Sequence, residues 1–114
     1  MSVQTSTKDA CCVPGPFVPR PRLRGQEAEQ RLAALTRALG HPARIRILKV
    51  LLAKDVCVAG ELVDEVPLAA STVSQHLKVL KEVGLIRGEV DGPRRCYCVD
   101  RAVVEELTVL LGDL

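Results

Sequence analysis

The sequence has very few aromatic residues and no long apolar run. Of 114 residues, one is Phe, one is Tyr and none is Trp, so a core must be built mainly from Leu, Val, Ile and Ala. No apolar stretch reaches the roughly 20 residues that a membrane-spanning helix needs. The proline-rich start also lacks the apolar segment of a secretion signal. These absences predict a cytoplasmic protein with no membrane partner.

The chain also has few histidines and a small net charge. The two histidines have no companion cysteine nearby in the sequence, so a thiol activated by a base is not indicated and an enzyme is not favoured. The formal net charge of +2 is too small to indicate nucleic-acid binding by itself. The basic residues are nevertheless concentrated near the start, in a central helix candidate and in a hairpin candidate, a distribution typical of a nucleic-acid-binding surface.

The first 25 residues differ in composition from the rest of the chain. They contain proline at 14, 16, 19 and 21 and arginine at 20, 22 and 24, with few branched apolar residues. This composition predicts a flexible arm over residues 1–25 and one helix-rich domain over residues 26–114. Because a core of this size is small, burial of further surface in a homodimer would stabilise it.

The strongest local signal is a helix that begins near Ala69 and ends at Gly84. Within it Val73, Leu77 and Leu80 repeat at four and three residues and therefore share one inward face. The glycine predicts a left-handed cap at the end of the helix. A shorter amphipathic helix is predicted upstream by three apolar residues spaced by four: Val58, Leu62 and Val66. Two helices joined by a tight turn predict a helix-turn-helix.

A β-hairpin is predicted directly after the longer helix. Strand candidates cover residues 85–90 and 95–99, on either side of the turn dipeptide Asp91-Gly92. The fold class is therefore mainly α with a two-stranded β wing, a dimeric winged helix-turn-helix that binds duplex DNA. The side chains expected to contact DNA are polar or basic and lie on the longer helix or in the hairpin: Ser71, Thr72, Ser74, Gln75, His76, Lys78, Arg94 and Arg95. An ordinary solvated surface, or a winged helix that binds protein, is the alternative interpretation.

Three further helices are predicted around this unit. The first begins at about Gln26 and ends at Gly40, the second starts after His41-Pro42, and the last begins near Asp100 as its N-cap. His41 is therefore assigned to a cap or turn. The first and last helices have wide apolar faces, which either pack onto their own domain or pair across a two-fold axis.

Together these segments resemble the ArsR/SmtB family of metal-sensing repressors. The resemblance covers about Glu29 to Leu111 and rests on ALGHPARIRIL at 38–48, VCVAGEL at 56–62 and STVSQHLKVLKEVGLI at 71–86. It implies a homodimeric repressor, with four helices, two strands and a fifth helix, that leaves its operator when a metal or metalloid binds. The chain departs from many relatives at Ala69, where a serine would cap the helix, and at Ala59, which replaces a motif cysteine.

The five cysteines, an odd number without an export signal, indicate thiol chemistry more than a disulfide framework. One thiolate cannot hold a soft ion well, so Cys57 needs partners. The resemblance implies that Cys11 and Cys12 of one subunit join Cys57 of the other around trivalent arsenic or antimony, with no cofactor required. Cys96 and Cys98 share one face of the second hairpin strand, either as core residues or as a second site.

The sequence also allows two alternative inducers. Cadmium or lead would use four thiolates, and oxidation would bridge Cys11 or Cys12 to Cys57. A four-thiolate site would need a ligand that nothing near Cys57 offers, whereas trivalent arsenic needs only three. Zinc is disfavoured because the acids of the last helix have no histidine near them. Cys57 is further expected near a helix N-terminus, whose dipole favours the thiolate.

Overall fold

The structure is a computed structural model that describes residues 15–54, 57–59, 66, 68–90 and 95–114. This part of the chain contains four helices and three short strands. Their order and bounds are α1 Gly25–Ala38, α2 Pro42–Leu52, β1 Val58–Ala59, α3 Ala70–Glu82, β2 Ile86–Glu89, β3 Cys96–Val99 and α4 Arg101–Gly112. The winged helix-turn-helix fold predicted from the sequence is confirmed.

The boundary between α1 and α2 lies where the sequence predicts it. Leu39 caps the end of α1, and His41 is the N-cap of α2, its ring Nδ1 accepting a hydrogen bond from the backbone N–H of Ala43 at 3.1 Å. Pro42 occupies the first turn of α2, where a missing N–H leaves no partner unsatisfied. The cap role predicted for His41 is confirmed.

The two ends of α3 differ in how they are capped. Gly84 has φ +87°, and the backbone N–H groups of Gly84 and Leu85 donate to the carbonyls of Lys81 and Leu80 at 2.9 and 3.1 Å. This is the paired hydrogen bonding of a glycine-terminated helix, as predicted. At the other end the N-cap is Ala69, which makes no side-chain hydrogen bond, so this helix begins without the serine cap of many relatives.

The strands form one antiparallel sheet in the order β1-β3-β2. β2 and β3 form the wing, with Ile86 opposite Val99 and Gly88 opposite Tyr97. Both strands are slightly shorter than predicted, and the predicted turn at Asp91-Gly92 lies outside the described residues.

The third strand corrects one sequence prediction. A helix was predicted to begin at Val58, but Val58–Ala59 is the strand β1, paired with β3. The physical reason is that β1 satisfies backbone groups along the second edge of β3, a gain that three apolar residues spaced by four do not reveal. Of the other predicted positions, Val66 is buried in a bend and Leu62 lies outside the described residues.

The main core lies between the helices and one face of the wing. Leu35 of α1, Ile47 of α2, Leu80 of α3 and Val103 of α4 are buried in one cluster that also contains Tyr97 of β3. Apart from this tyrosine the core is aliphatic, as the composition predicts. None of the described helices is long and apolar enough to cross a membrane.

Residues 15–24, the described portion of the predicted arm, form neither helix nor strand and lie along α4. Arg20 Nε is 3.3 Å from Glu106 Oε1, and Arg22 Nη2 is 2.7 Å from Asp113 Oδ1. Arg31 of α1 also donates to Glu106, through Nη2 at 3.0 Å and Nε at 3.2 Å. Glu106 therefore joins the arm, α1 and α4.

Candidate nucleic-acid interface and thiol site

The α3 helix separates apolar from polar side chains around its axis. Val73, Leu77 and Leu80 are buried. The side chains predicted to meet DNA lie elsewhere on the helix, exposed for Ser71, Gln75 and Lys78 and half-buried for Thr72, Ser74 and His76. This geometry allows α3 to enter a major groove with its polar side chains toward the base edges.

His76 links α3 to α2. Its Nδ1 accepts a hydrogen bond from Arg44 Nε at 3.2 Å, and its ring centroid is 4.6 Å from that of His41. Burial, and then the charges of His41 and Arg44, lower the pKa of His76 below its usual value. The ring of His76 is therefore packed against α2, and its predicted contact with DNA stays a prediction.

The hairpin end of the interface is described on one side only. Arg95 is half-buried at the start of β3, directly before Cys96, whereas Arg94 lies outside the described residues. Arg87 of β2 is exposed, and its Nε is 3.5 Å from Asp100 Oδ2. Basic side chains therefore lie on β2 and directly before β3.

The cysteines of the wing do not join the main core. Tyr97 and Val99 belong to the main core, while Cys96 and Cys98 form a separate buried cluster with Cys57. The exposed fractions of Cys57, Cys96 and Cys98 are 2%, 6% and 8%. Alternation along β3 explains the separation, because successive side chains point to opposite faces of the sheet.

Cys57 and Cys98 are joined by a disulfide, with their Cα atoms 4.4 Å apart. The pairing follows from the register: Val58 faces Tyr97 and Ala59 faces Cys96, so the residue before Val58 meets the residue after Tyr97. Since Cys57 precedes a strand, and the helix predicted at Val58 does not begin there, the predicted dipole effect on its thiolate is not supported.

Cys98 also borders a small pocket. The pocket has a volume of about 100 Å³ and is lined by the arm residues Gly15–Phe17 and by three basic side chains, those of Lys54, Arg87 and Arg101. Arg101 is fixed in place, because its Nη2 donates to the carbonyls of Leu52 at 2.9 Å and Lys54 at 3.1 Å. The pocket beside Cys98 is therefore lined by basic side chains.

The predicted intersubunit site falls partly outside the described residues. Cys11 and Cys12 are not described, so their predicted contact with Cys57 stays a prediction. Within the described ranges, no group of three or more His, Cys, Asp or Glu side chains is arranged to hold a metal ion as it stands. What sequence reasoning missed is the pairing of Cys57 with Cys98 across 41 residues. The available signal was the CxC alternation of Cys96 and Cys98.

An exposed polar face on α3, followed by a hairpin with basic side chains, is the arrangement of a DNA-binding transcriptional regulator of the winged-helix class. Residues 39–89 match the family model of a helix-turn-helix domain. The chain is 35% identical over 89 residues to the HTH-type transcriptional regulator YgaV of Escherichia coli K12, covering 78% of this chain and 90% of that protein. It belongs to the ArsR/SmtB family of winged helix-turn-helix transcriptional regulators.

Two further comparisons agree with this assignment. The HTH-type transcriptional repressor SmtB of Mycobacterium tuberculosis is 44% identical over 63 residues, which are 55% of this chain and 46% of that protein. The crystal structure of M. tuberculosis Rv0081 superposes with a TM-score of 0.53 at 28% identity, over 79% of this chain and 89% of that one. The relatives are regulators of transcription, and the fold is shared across most of the chain.

Two alanine variants test the DNA-contacting side chains. Gln75→Ala should weaken operator binding and change the sequence preference, because an amide reads base edges. Arg95→Ala should weaken binding on all sequences and lower the salt slope by about 1, because a phosphate contact carries no sequence information. Fluorescence anisotropy over a salt series measures both, with Arg37→Ala, an exposed arginine on α1, as control. Normal binding by either variant would remove that residue from the interface.

Proposed function

We propose that this regulator is a homodimeric repressor that leaves its operator when its cysteines bind trivalent arsenic or antimony. The observation that supports it is that all the described cysteines, Cys57, Cys96 and Cys98, lie in one buried cluster, although 41 residues separate Cys57 from Cys98. Thiolates select soft centres, and a trivalent metalloid is satisfied by three of them. Isolated cysteines in a core would not need to converge.

The position of the cluster supports a link to DNA binding. Cys57 directly precedes β1, upstream of α3, and Cys96 directly follows Arg95 in the wing. A ligand held by these strands would therefore act on both DNA-contacting elements. To take an operator complex from 99% bound to 99% released, the ligand must prefer the released state by about 5.5 kcal/mol.

The homodimer is part of the proposal. Val109 and Leu111 on α4 are exposed by 37% and 47%, and Leu114, two residues beyond the helix, by 91%. Helix-turn-helix repressors read two half-sites with matching two-fold symmetry. If α4 and α1 pair with those of a second copy, these side chains are covered. The resulting dimer presents one α3 helix to each of the two half-sites.

Arsenite titration of a protein–DNA complex tests this function. For the reduced wild type on its own promoter DNA, we expect arsenite to lower the operator affinity by at least about tenfold, within the usual range of allosteric coupling. Cys57→Ser should bind the operator normally and stay bound in arsenite, because its ligand set is incomplete. Fluorescence anisotropy measures both. A wild type that keeps its operator affinity in arsenite and antimonite would refute the inducer assignment.

Thiol oxidation is a second candidate, favoured by the Cys57–Cys98 disulfide. Formation of this disulfide removes two electrons and two protons from the two thiols, and a peroxide would accept them. Hydrogen peroxide would give two waters, and an organic hydroperoxide would give one alcohol and one water. The same complex titrated with hydrogen peroxide and then with dithiothreitol distinguishes the two. Release by peroxide, reversal by dithiothreitol and no response to arsenite would establish redox control in place of metalloid control.

A further inference from the structure

We infer that the metalloid site lies within one subunit and consists of the thiolates of Cys57, Cys96 and Cys98, on one face of the β1-β3-β2 sheet. This inference rests on the proposed function and names its ligands. It differs from the sequence prediction, in which Cys11 and Cys12 of one subunit complete the site around Cys57 of the other. The juxtaposition of the three cysteines on two paired strands is what distinguishes the two arrangements.

The register brings three sulfur atoms to one place. Cys57 and Cys98 have Cα atoms only 4.4 Å apart, near the 4.5 Å typical of directly opposed residues in antiparallel strands. Cys96 is two residues before Cys98 and therefore lies on the same face, diagonal to Cys57. The three side chains form a cluster of their own, each less than a tenth exposed. One soft trivalent centre is within reach of all three without a change in strand pairing.

The binding reaction balances without electron transfer. Arsenite enters as As(OH)3, and each of its three As–O bonds is replaced by an As–S bond while the thiol proton leaves with the hydroxyl as water. Three thiols therefore give one As(SR)3 group and three waters, and arsenic stays trivalent. Cys57, Cys96 and Cys98 are all disulfide-bonded, Cys57 to Cys98, so each disulfide must first be reduced by a thiol reductant, which supplies two electrons and two protons per bond.

Access and charge both suit this site. Cys98 borders the pocket of about 100 Å³ beside the arm, which provides an entry path to the buried sulfurs. Lys54, Arg87 and Arg101 line the same pocket, so the surface beside Cys98 is basic. Strands also hold ligands more rigidly than a flexible arm does, which lowers the ordering cost of binding.

Arsenic binding and operator release together test the inference. The reduced full-length dimer of the wild type, of Cys96→Ser/Cys98→Ser and of the matched control Cys11→Ser/Cys12→Ser is treated with arsenite and desalted, and bound arsenic per subunit is measured by mass spectrometry. We expect one arsenic per subunit in the wild type and in the control, and at least tenfold weaker arsenic binding in the wing variant. Arsenite should likewise release the wild type and the control from DNA more readily than the wing variant.

A wing variant that binds arsenic as tightly as the wild type overturns the inference. Loss of arsenic in the arm variant, alone or together with the wing variant, overturns the three-thiol site within one subunit. A wild type that binds no arsenic refutes the proposed function itself. If the serines disturb folding, seen as lost operator binding without arsenite, Cys98→Val alone replaces the wing variant, since valine suits a strand.

A mixed dimer decides between one subunit and two. Cys57→Ser subunits are combined with Cys96→Ser/Cys98→Ser subunits, so that each subunit lacks part of the proposed site. We expect the mixed dimer to bind no arsenic tightly, because no single subunit has all three thiols. Recovery of one arsenic per mixed dimer would show that the ligands come from different subunits and would overturn the inference.

Discussion

Gly88→Ala is expected to lower the free energy of unfolding by about 2–3 kcal/mol, the cost of a strongly strained backbone position. Gly88 has φ +112°, a conformation that side-chain-bearing residues rarely adopt. A Cβ there would come within 2.2 Å of the carbonyl oxygen of Cys96 and within 3.0 Å of the Cα of Tyr97. Both contacts are with backbone, so relief requires that β2 and β3 move apart.

The same variant should also weaken operator binding, because the wing pairs through this position. Gly88 faces Tyr97, the fully buried tyrosine of the core, so separation of the strands would loosen both the wing and the packing beneath it. Arg95 and Cys96 at the start of β3 would lose their placement. The variant should therefore bind its operator more weakly than the wild type even at temperatures at which the variant is folded.

Urea unfolding followed by circular dichroism measures the stability change, and anisotropy measures the operator affinity. Gly112→Ala is the matched control: it is the last residue of α4, and nothing lies within 4 Å of an added Cβ. Alanine there should be neutral or stabilising by up to about 1 kcal/mol, since glycine is a poor helix former. Equal stabilities for Gly88→Ala and wild type would refute the strain argument.

Helices were predictable because their signals lie within one or two turns. The spacing of Val73, Leu77 and Leu80 predicts the buried face of α3, and Gly84 predicts its end. Asp100 was predicted as the N-cap of the last helix, and its carboxylate accepts a hydrogen bond from the backbone N–H of Ala102 at 3.1 Å. None of these features depends on a distant partner.

Strand β1 could not be predicted in the same way. Whether Val58–Ala59 forms a strand depends on pairing with Cys96 and Tyr97, far along the chain. A window of local residues contains no information about that pairing, and three apolar residues spaced by four equally fit a helix. The Cys57–Cys98 disulfide follows from the same pairing, so the local sequence did not reveal it. The arm cysteines were predicted as partners of Cys57 because the family resemblance implies them.

The role of Glu106 was also hidden from sequence reasoning. In the sequence it is one of several acids of the last helix, notable only because no histidine lies near it. In the structure its side chain is 5% exposed and accepts hydrogen bonds from Arg31 and Arg20. The partners lie 75 and 86 residues away, so only the packing of α1 and the arm against α4 brings them together.

Glu106→Ala is therefore expected to lower the free energy of unfolding by about 2–3 kcal/mol, the usual scale for hydrogen bonds to a charged group. The value lies below that of a fully buried ion pair because Arg20 is 44% exposed and Arg31 is 19% exposed, so water partly replaces the lost carboxylate. Glu106→Gln should fall between alanine and wild type, since it keeps an acceptor but not the charge.

Urea unfolding of three variants separates this pair from ordinary surface charge. Glu105→Ala removes the exposed neighbour on α4, and Arg22→Ala removes the exposed ion pair to Asp113, in which the side chains are 60% and 44% exposed. Both should change stability by less than about 1 kcal/mol, the scale of solvated pairs. If Glu106→Ala is no more destabilising than these two, the arm, α1 and α4 are held together by apolar packing, and Glu106 contributes nothing specific. If Glu106→Ala is more destabilising than both, the buried carboxylate holds the arm in place beside the pocket that Cys98 borders.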